Sequence, residues 1–222
     1  MSFALDRSQM PPEIARLPVD TRGYVIPWFV DRRAPYINGN PDFRVMDPKH
    51  LKAAIRERRC WVCGGKIRAG SFAFVAGPMC GVNRTSAEPP SHIECARWSA
   101  KACPFLSFPK RIRDERNLPP AMMAGHGIMR NPGVAMIWIC ESYETWRPPG
   151  GGVLFELGEP SAVEWIRQGR EATLGEVMDS VESGLPLLRN QIFSREDTHA
   201  LDAAIVRFLP LLPQLQPAQS CA

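Results

Sequence analysis

The sequence predicts an α+β fold, and three observations carry that prediction. Short runs that are apolar or β-branched, residues 134–140 and 153–157 above all, have the length of strands. Helix-start signals recur at Asp47-Pro48, at Thr173-Leu174-Gly175-Glu176 and at Ser194. Between the first helix signal and the first long apolar run, five of the seven cysteines crowd into 44 residues: Cys60, Cys63, Cys80, Cys95 and Cys103.

Composition narrows the class. Of 222 residues, 45% are hydrophobic and 23% charged, ordinary for a globular chain, which excludes disordered and fibrous proteins. No apolar run approaches the roughly 18 residues of a membrane-spanning helix. The opening Met1-Ser2-Phe3-Ala4-Leu5-Asp6-Arg7 lacks the basic and apolar segments of a secretion signal. A cytoplasmic protein is expected, and in a reducing compartment clustered cysteines point to metal rather than disulfides. Cys140 and Cys221 stand apart.

Residues 1–20, with Pro11-Pro12 and Pro18, read as an arm with a helical turn at 12–17. Residues 23–30 read as a strand that Pro27 demotes to an edge, since proline cannot donate to a ladder. A turn at 38–42 precedes a partner strand at 43–46. Asp47 caps a helix with Pro48 at its first position, running to about Arg58, with Leu51, Ala54 and Ile55 as its apolar stripe. Residues 118–132 are loop-like. The runs 134–140 and 153–157 are expected to pair as a hairpin across a long loop. Glu159-Pro160-Ser161 opens a helix to about Gln168. The capping box at Thr173 opens another that ends near Gly184, and Ser194 caps a last helix to about Leu209.

The cysteines carry the chemistry. Cys60-Trp61-Val62-Cys63-Gly64-Gly65 has the form of a knuckle, a tight turn that aims two sulfurs at one ion. His92-Ile93-Glu94-Cys95 supplies the second pair. With Ser91 as helix cap, His92 and Cys95 share one face of the first turn and reach the same tetrahedral ion. A hairpin over 66–76 would join knuckle and helix into a treble-clef-like finger. The expected ion is Zn²⁺ held by Cys60, Cys63, His92 and Cys95, with Cys80 as the alternative to His92 because Met79-Cys80-Gly81 is also turn-like. Four protein ligands leave no position for water, so the zinc is structural. Cys103, two turns beyond Cys95, reads as core.

Other motifs were weighed. A deaminase signature needs a CxxC after the His-x-Glu, and here the CxxC lies before it. A treble-clef nuclease of the HNH kind needs an Asp-His or similar catalytic pair on the intervening hairpin, and no such pair lies between Gly64 and Ser91. A thioredoxin-type redox pair lacks its βαβ context. His50, His126 and His199 read as isolated side chains. The pair of expected helices at 161–168 and 173–183 imitates a helix-turn-helix, but Glu164, Glu171, Glu176, Asp179 and Glu182 would repel phosphates.

Charge is unevenly spread. Residues 1–149 hold 22 Lys/Arg against 13 Asp/Glu, a net of +9, and residues 150–222 hold 5 against 10, a net of −5. Arg56, Arg58, Arg59, Lys66 and Arg68 surround the knuckle, and Lys110, Arg111 and Arg113 follow the cluster. Such a field attracts phosphates or acidic protein surfaces. The expected organisation is an arm and strand at 1–43, a basic finger module at 44–117, and a strand pair with an acidic helical part at 118–222, the finger being embedded in a small mixed sheet with C-terminal helices.

The motifs Arg58-Arg59-Cys60-Trp61-Val62-Cys63-Gly64, Gly77-Pro78-Met79-Cys80-Gly81-Val82-Asn83-Arg84, Pro89-Pro90-Ser91-His92 and Cys95-Ala96-Arg97-Trp98 carry a resemblance. So do Ala102-Cys103-Pro104-Phe105-Leu106, Gly169-Arg170-Glu171-Ala172-Thr173 and Ser183-Gly184-Leu185-Pro186-Leu187-Leu188. Over roughly residues 20–190 the chain resembles a family of uncharacterised zinc-binding proteins of bacteriophages and bacterial genomes. That resemblance implies a phage or mobile-element setting in a bacterial cytoplasm and no catalytic residue.

The functional expectation is a non-enzymatic, zinc-stabilised binding protein whose basic face engages nucleic acid or a nucleoprotein complex. The alternatives are a protein–protein inhibitor of a host defence complex, with a host or phage protein as partner, and an HNH-like nuclease. The oligomeric state is left open.

Overall fold

The computed structural model describes residues 10–33, 39–103, 106, 131–149, 151–192 and 194–214. Among them the elements in chain order are α1 (Pro12–Ala15), α2 (Pro48–Glu57), β1 (Phe72–Ala76), α3 (Pro78–Val82), β2 (Thr85–Ser86) and α4 (Ile93–Ala102). They continue with β3 (Ala135–Cys140), β4 (Tyr143–Trp146), β5 (Leu154–Leu157), β6 (Pro160–Arg167) and β7 (Arg170–Glu171), then α5 (Leu174–Arg189) and α6 (Arg195–Phe208). The fold is α+β, with two antiparallel sheets and helices packed on them in place of the single small mixed sheet expected. No helix of the described residues is long and apolar enough to cross a membrane.

Strand β3 organises the larger sheet, whose order is β1-β3-β6-β7. Every one of its residues is buried because both faces are covered, which is why it reads as an unbroken apolar run. Met136, Trp138 and Cys140 enter the main core with Phe74, Phe155, Trp165 and Phe208. Ala135, Ile137 and Ile139 enter a second cluster with Ala73, Ala96, Ala100 and Ile166. The two-residue period of a strand divides the side chains this way. Helix α4 lies on the second face, its small Ala96 and Ala100 allowing close approach. The smaller sheet has the order β2-β5-β4.

Three expected strand features differ in the structure. Residues 134–140 and 153–157 do not pair: β3 lies between β1 and β6, and β5 between β2 and β4. Residues 66–76 form no hairpin of their own, since β1 spends its ladder on β3, from Phe72 opposite Cys140 to Ala76 opposite Met136. The 23–30 segment is not a continuous strand either. Val25 and Val30 make only isolated bridges, to Val19 and Met46. Its other bonds scatter: the Ile26 amide goes to Pro18, and the Trp28 amide to the Val62 carbonyl at 2.7 Å. Proline 27 removes the donor that would have continued a ladder.

The helix expected over 161–168 is strand β6. Val163, Trp165 and Ile166 suit a half-buried sheet, and the open edge of β3 supplies the partner. Pro160 sits at the first strand position, where no ladder donor is required. A bulge there leaves Ser161 to donate its hydroxyl to the Ile139 carbonyl at 3.2 Å. Gln168 (φ 51°) and Gly169 (φ 80°) then form a two-residue turn with both φ positive, the geometry that matches strand twist in a hairpin. The helix-turn-helix imitation disappears with this helix.

Local capping signals hold. The Asp47 side chain accepts from the Lys49 amide and Pro48 occupies the first turn of α2. Thr173 and Glu176 make a reciprocal capping box on α5, and the Ser194 hydroxyl accepts from the Asp197 amide on α6. Helix α5 does not stop at Gly184 but passes through Pro186 to Arg189. Gly184 serves packing instead: a Cβ there would come within 2.9 Å of Met79 Cγ in α3. Arg97 on α4 reaches Glu164 on β6 at 3.0 Å and also pairs with Glu94, tying helix to sheet.

Candidate metal centre

Helix α2 ends at Arg58, whose left-handed backbone (φ 53°) turns the chain back on itself. A short ribbon follows. The Cys60 amide donates to the Gly65 carbonyl at 2.7 Å, Arg59 bridges Lys66, and the Ile67 amide donates to the Arg58 carbonyl. The turn between, closed by the Gly64 amide on the Cys60 carbonyl at 2.8 Å, brings Cys60 and Cys63 together. Its amides face the sulfurs: Cys63 N–H donates to Cys60 Sγ at 3.5 Å, and Gly65 N–H to Cys63 Sγ at 3.4 Å.

The turn needs a glycine at 64 and leaves little room at 65. Gly64 has φ 76°, and a Cβ on it would stand 2.6 Å from the Trp28 ring. A Cβ on Gly65 would stand 3.2 Å from His92 Cε1. Two stacked aromatic pairs flank the turn, Phe29 on Trp61 (4.8 Å between ring centres) and Trp28 on His50 (4.2 Å).

The second half of the site comes from the start of α4. Ser91 exchanges two backbone bonds with Ala73 of β1, at 3.0 and 2.7 Å, and the Trp61 amide donates to the Pro90 carbonyl. These bonds hold the helix start against the knuckle. The cap falls one residue later than expected: His92, not Ser91, is the N-cap of α4, and its own amide donates to Cys60 Sγ at 3.3 Å. His92 Nδ1 lies 3.3 Å from Cys63 Sγ and 3.7 Å from Cys95 Sγ. Its Nε2 lies 3.1 Å from the Lys66 carbonyl. A proton on Nε2 donated to that carbonyl leaves the Nδ1 lone pair aimed at the sulfurs, the outer-shell arrangement that orients a ligating histidine.

The donor atoms of Cys60, Cys63, His92 and Cys95 all lie within 4.8 Å of one another, so this group can hold a metal ion. Cys80 is not among them. It sits in α3 with its amide on the Gly77 carbonyl, and burial pushes its thiol up. Cys140 is buried in β3, which raises its thiol to about 11. Cys103 is the C-cap of α4. Cys221 lies outside the described residues.

Electrostatics in the group are those of donors crowded around one point. Burial alone would raise the Cys60 thiol, but hydrogen bonds with Cys63, Cys95 and His92 outweigh burial and lower it. Hydrogen bonds with Cys60 and Cys63 push His92 up to about 11. Those same two sulfurs, with burial, drive the Cys95 thiol upward. The donors thus compete for protons, and one shared cation would relieve the competition by taking the place of those protons.

Of the basic residues singled out in the sequence, Arg56, Arg58, Lys66 and Arg68 are exposed. Arg58 carries its guanidinium 5.9 Å over the buried Phe72 ring. Arg59 is occupied: it donates to Glu57 at 2.7 Å and to the Gly64 carbonyl at 3.0 Å, bracing the knuckle. Lys110, Arg111 and Arg113 lie outside the described residues. Sequence reasoning missed the Lys66 carbonyl as support for His92, because a backbone acceptor leaves no signature in residue type. Compared with protein-family models, with curated proteins and with solved structures, the chain matches none of them.

Proposed function

We propose that Cys60, Cys63, His92 and Cys95 bind structural Zn²⁺ in a treble-clef-like arrangement of knuckle and helix start, without the hairpin expected between them, and that the protein is a non-enzymatic binder of nucleic acid or a nucleoprotein complex. Three thiolates and an imidazole are a donor set suited to zinc, and four protein ligands close its coordination. The zinc holds the knuckle against α4 and fixes the ribbon that carries Lys66 and Arg68.

The observation that carries the binding reading is where unneutralised cations sit. Arg22, Arg33, Arg44, Arg84, Arg97, Arg167, Arg170 and Arg189 all pair with carboxylates. Lys49, Lys52, Arg56, Lys66 and Arg68 make no ion pair among the described residues, and all five are exposed around the knuckle and α2. Arg16, Arg147, Arg195 and Arg207 are exposed without an ion pair among the described residues as well, but they are scattered along the chain, whereas these five fall within residues 49–68. Such a run of uncompensated charge favours a polyanionic partner. The family resemblance adds a phage or mobile-element setting. The test is binding of the zinc-loaded protein to nucleic acid across a salt series. Affinity that falls steeply with salt supports the reading, and no binding at low salt removes it.

The second reading, an inhibitor of a host defence complex, draws on another surface. Leu187 on α5 and Val206 and Leu209 at the end of α6 are 41%, 67% and 45% exposed, an apolar presence that suits a protein partner. A partner captured from the native host that survives nuclease treatment favours it. The nuclease alternative gains nothing from the segment before α4. Asn83 accepts from the Thr85 amide, and Arg84 is bound to Glu159.

A further inference from the structure

We infer that helix α2 is the principal contact element and that its partner is the phosphate backbone of double-stranded DNA, read without regard to sequence. This rests on the nucleic-acid reading above and narrows it. Lys49, Lys52 and Arg56 fall at i, i+3 and i+7 of α2, one stripe of the helix, and all three are exposed. The opposite side is the apolar one, with Ala54 buried and Leu51 and Ile55 half-buried.

Seven residues of helix advance roughly 10 Å, the axial reach of about three successive phosphates on one strand at about 3.4 Å each. The chain then continues through Arg58 into the ribbon, where Lys66 and Arg68 are exposed on either side of buried Ile67. One continuous segment therefore presents cations along a path rather than at a point.

Single-stranded nucleic acid is disfavoured as the partner because it is held by aromatic rings on which bases stack. The rings near this segment are engaged: Trp61 is buried and stacked on Phe29, Trp28 is stacked on His50, and Phe72 is buried beneath Arg58. Duplex RNA is disfavoured because the deep, narrow major groove of an A-form helix does not admit an α-helix, whereas the B-form groove, about 12 Å wide, does. Two of the three stripe cations are lysines, compact point charges suited to phosphate oxygens, contacts that carry no sequence information.

The test is fluorescence anisotropy of the full-length, zinc-loaded protein with a duplex DNA of mixed sequence, the same strand single, and a duplex RNA of equal length. The duplex DNA should bind at least about tenfold tighter than either of the others. Lys49→Gln/Lys52→Gln/Arg56→Gln should weaken that binding by about tenfold or more and flatten the log–log salt slope by about 3. Zinc content and circular dichroism of the variant should match wild type, and Arg195→Gln, on an exposed arginine of α6, should bind as wild type does. Equal or tighter binding of single-stranded DNA or duplex RNA, or an unchanged salt slope in the triple variant, overturns this inference while leaving the nucleic-acid reading intact. Absence of binding to all three probes overturns both.

Discussion

His92 Nε2 lies 3.1 Å from the carbonyl oxygen of Lys66, so the imidazole that completes the metal group is oriented by the ribbon that carries Lys66 to the surface. The centre and the basic segment are therefore one construction. The knuckle turn, the histidine and the exposed cations cannot be rearranged independently, and the consequences can be measured.

The ligand set is the first of these. Cys60→Ser and Cys95→Ser should each lose the metal and melt far below wild type, because both thiols are buried at 0% and 1% exposure and their site stabilises the folded state alone. Cys80→Ser, outside the group, should keep the metal. His92→Cys should retain metal where His92→Ala does not, since a fourth thiolate still closes the site. Metal content by plasma mass spectrometry and thermal melts check each variant.

Gly64 tests the knuckle turn separately from the ligands. Gly64→Ala meets both a positive φ and the Trp28 ring at 2.6 Å, whereas Gly70→Ala, at φ 79°, has nothing within 4 Å of the added Cβ. The Gly70 variant should cost about 1 kcal/mol, and the Gly64 variant clearly more, by about 1–3 kcal/mol, in chemical denaturation.

Gly184 makes a parallel case in the C-terminal helices. Gly184→Ala should destabilise by about 1–3 kcal/mol through collision with Met79, 2.9 Å from the added Cβ. Combining it with Met79→Ala should be less harmful than the sum of the two single changes. A double-mutant cycle with coupling above about 0.5 kcal/mol checks this, and strict additivity contradicts the contact.

The capping box of α5 supplies a pH signature. Hydrogen bonding and charge from Arg170, with the Thr173 amide, lower the Glu176 carboxyl from 4.5 to about 2. A depressed carboxyl contributes stability that is fully present above its unfolded value and is lost as pH falls through the folded one. The melting-temperature advantage of wild type over Glu176→Gln should therefore shrink between about pH 5 and about pH 2. Thr173→Ala should cost about 1 kcal/mol across the neutral range.

What could be read from the chain and what could not divides along sequence separation. Asp47-Pro48, the Thr173–Glu176 box and Ser194 act within four residues of themselves, and the helices start where they say. The grouping of Cys60, Cys63, His92 and Cys95 was legible because two CxxC-like spacings are each local, leaving only the closure between them to the fold. Strand β6 was not legible. Glu159-Pro160-Ser161 has the form of a helix start, and the reason those residues are extended is the edge of β3, more than twenty residues away. Gly184 looks like a helix stop until Met79 of α3 is placed against it. The salt bridge from Arg97 to Glu164 and the support of His92 by a backbone carbonyl are likewise products of pairing, with no trace in local composition.

Everything turns on whether one cation joins the knuckle to the first turn of α4. Native mass spectrometry of the purified, folded chain weighs that cation directly. The structure leads us to expect one zinc ion per chain, released together with loss of the folded charge-state distribution when a strong chelator is added. A folded chain that carries no metal, and whose melting temperature ignores both chelator and the Cys60→Ser change, contradicts it.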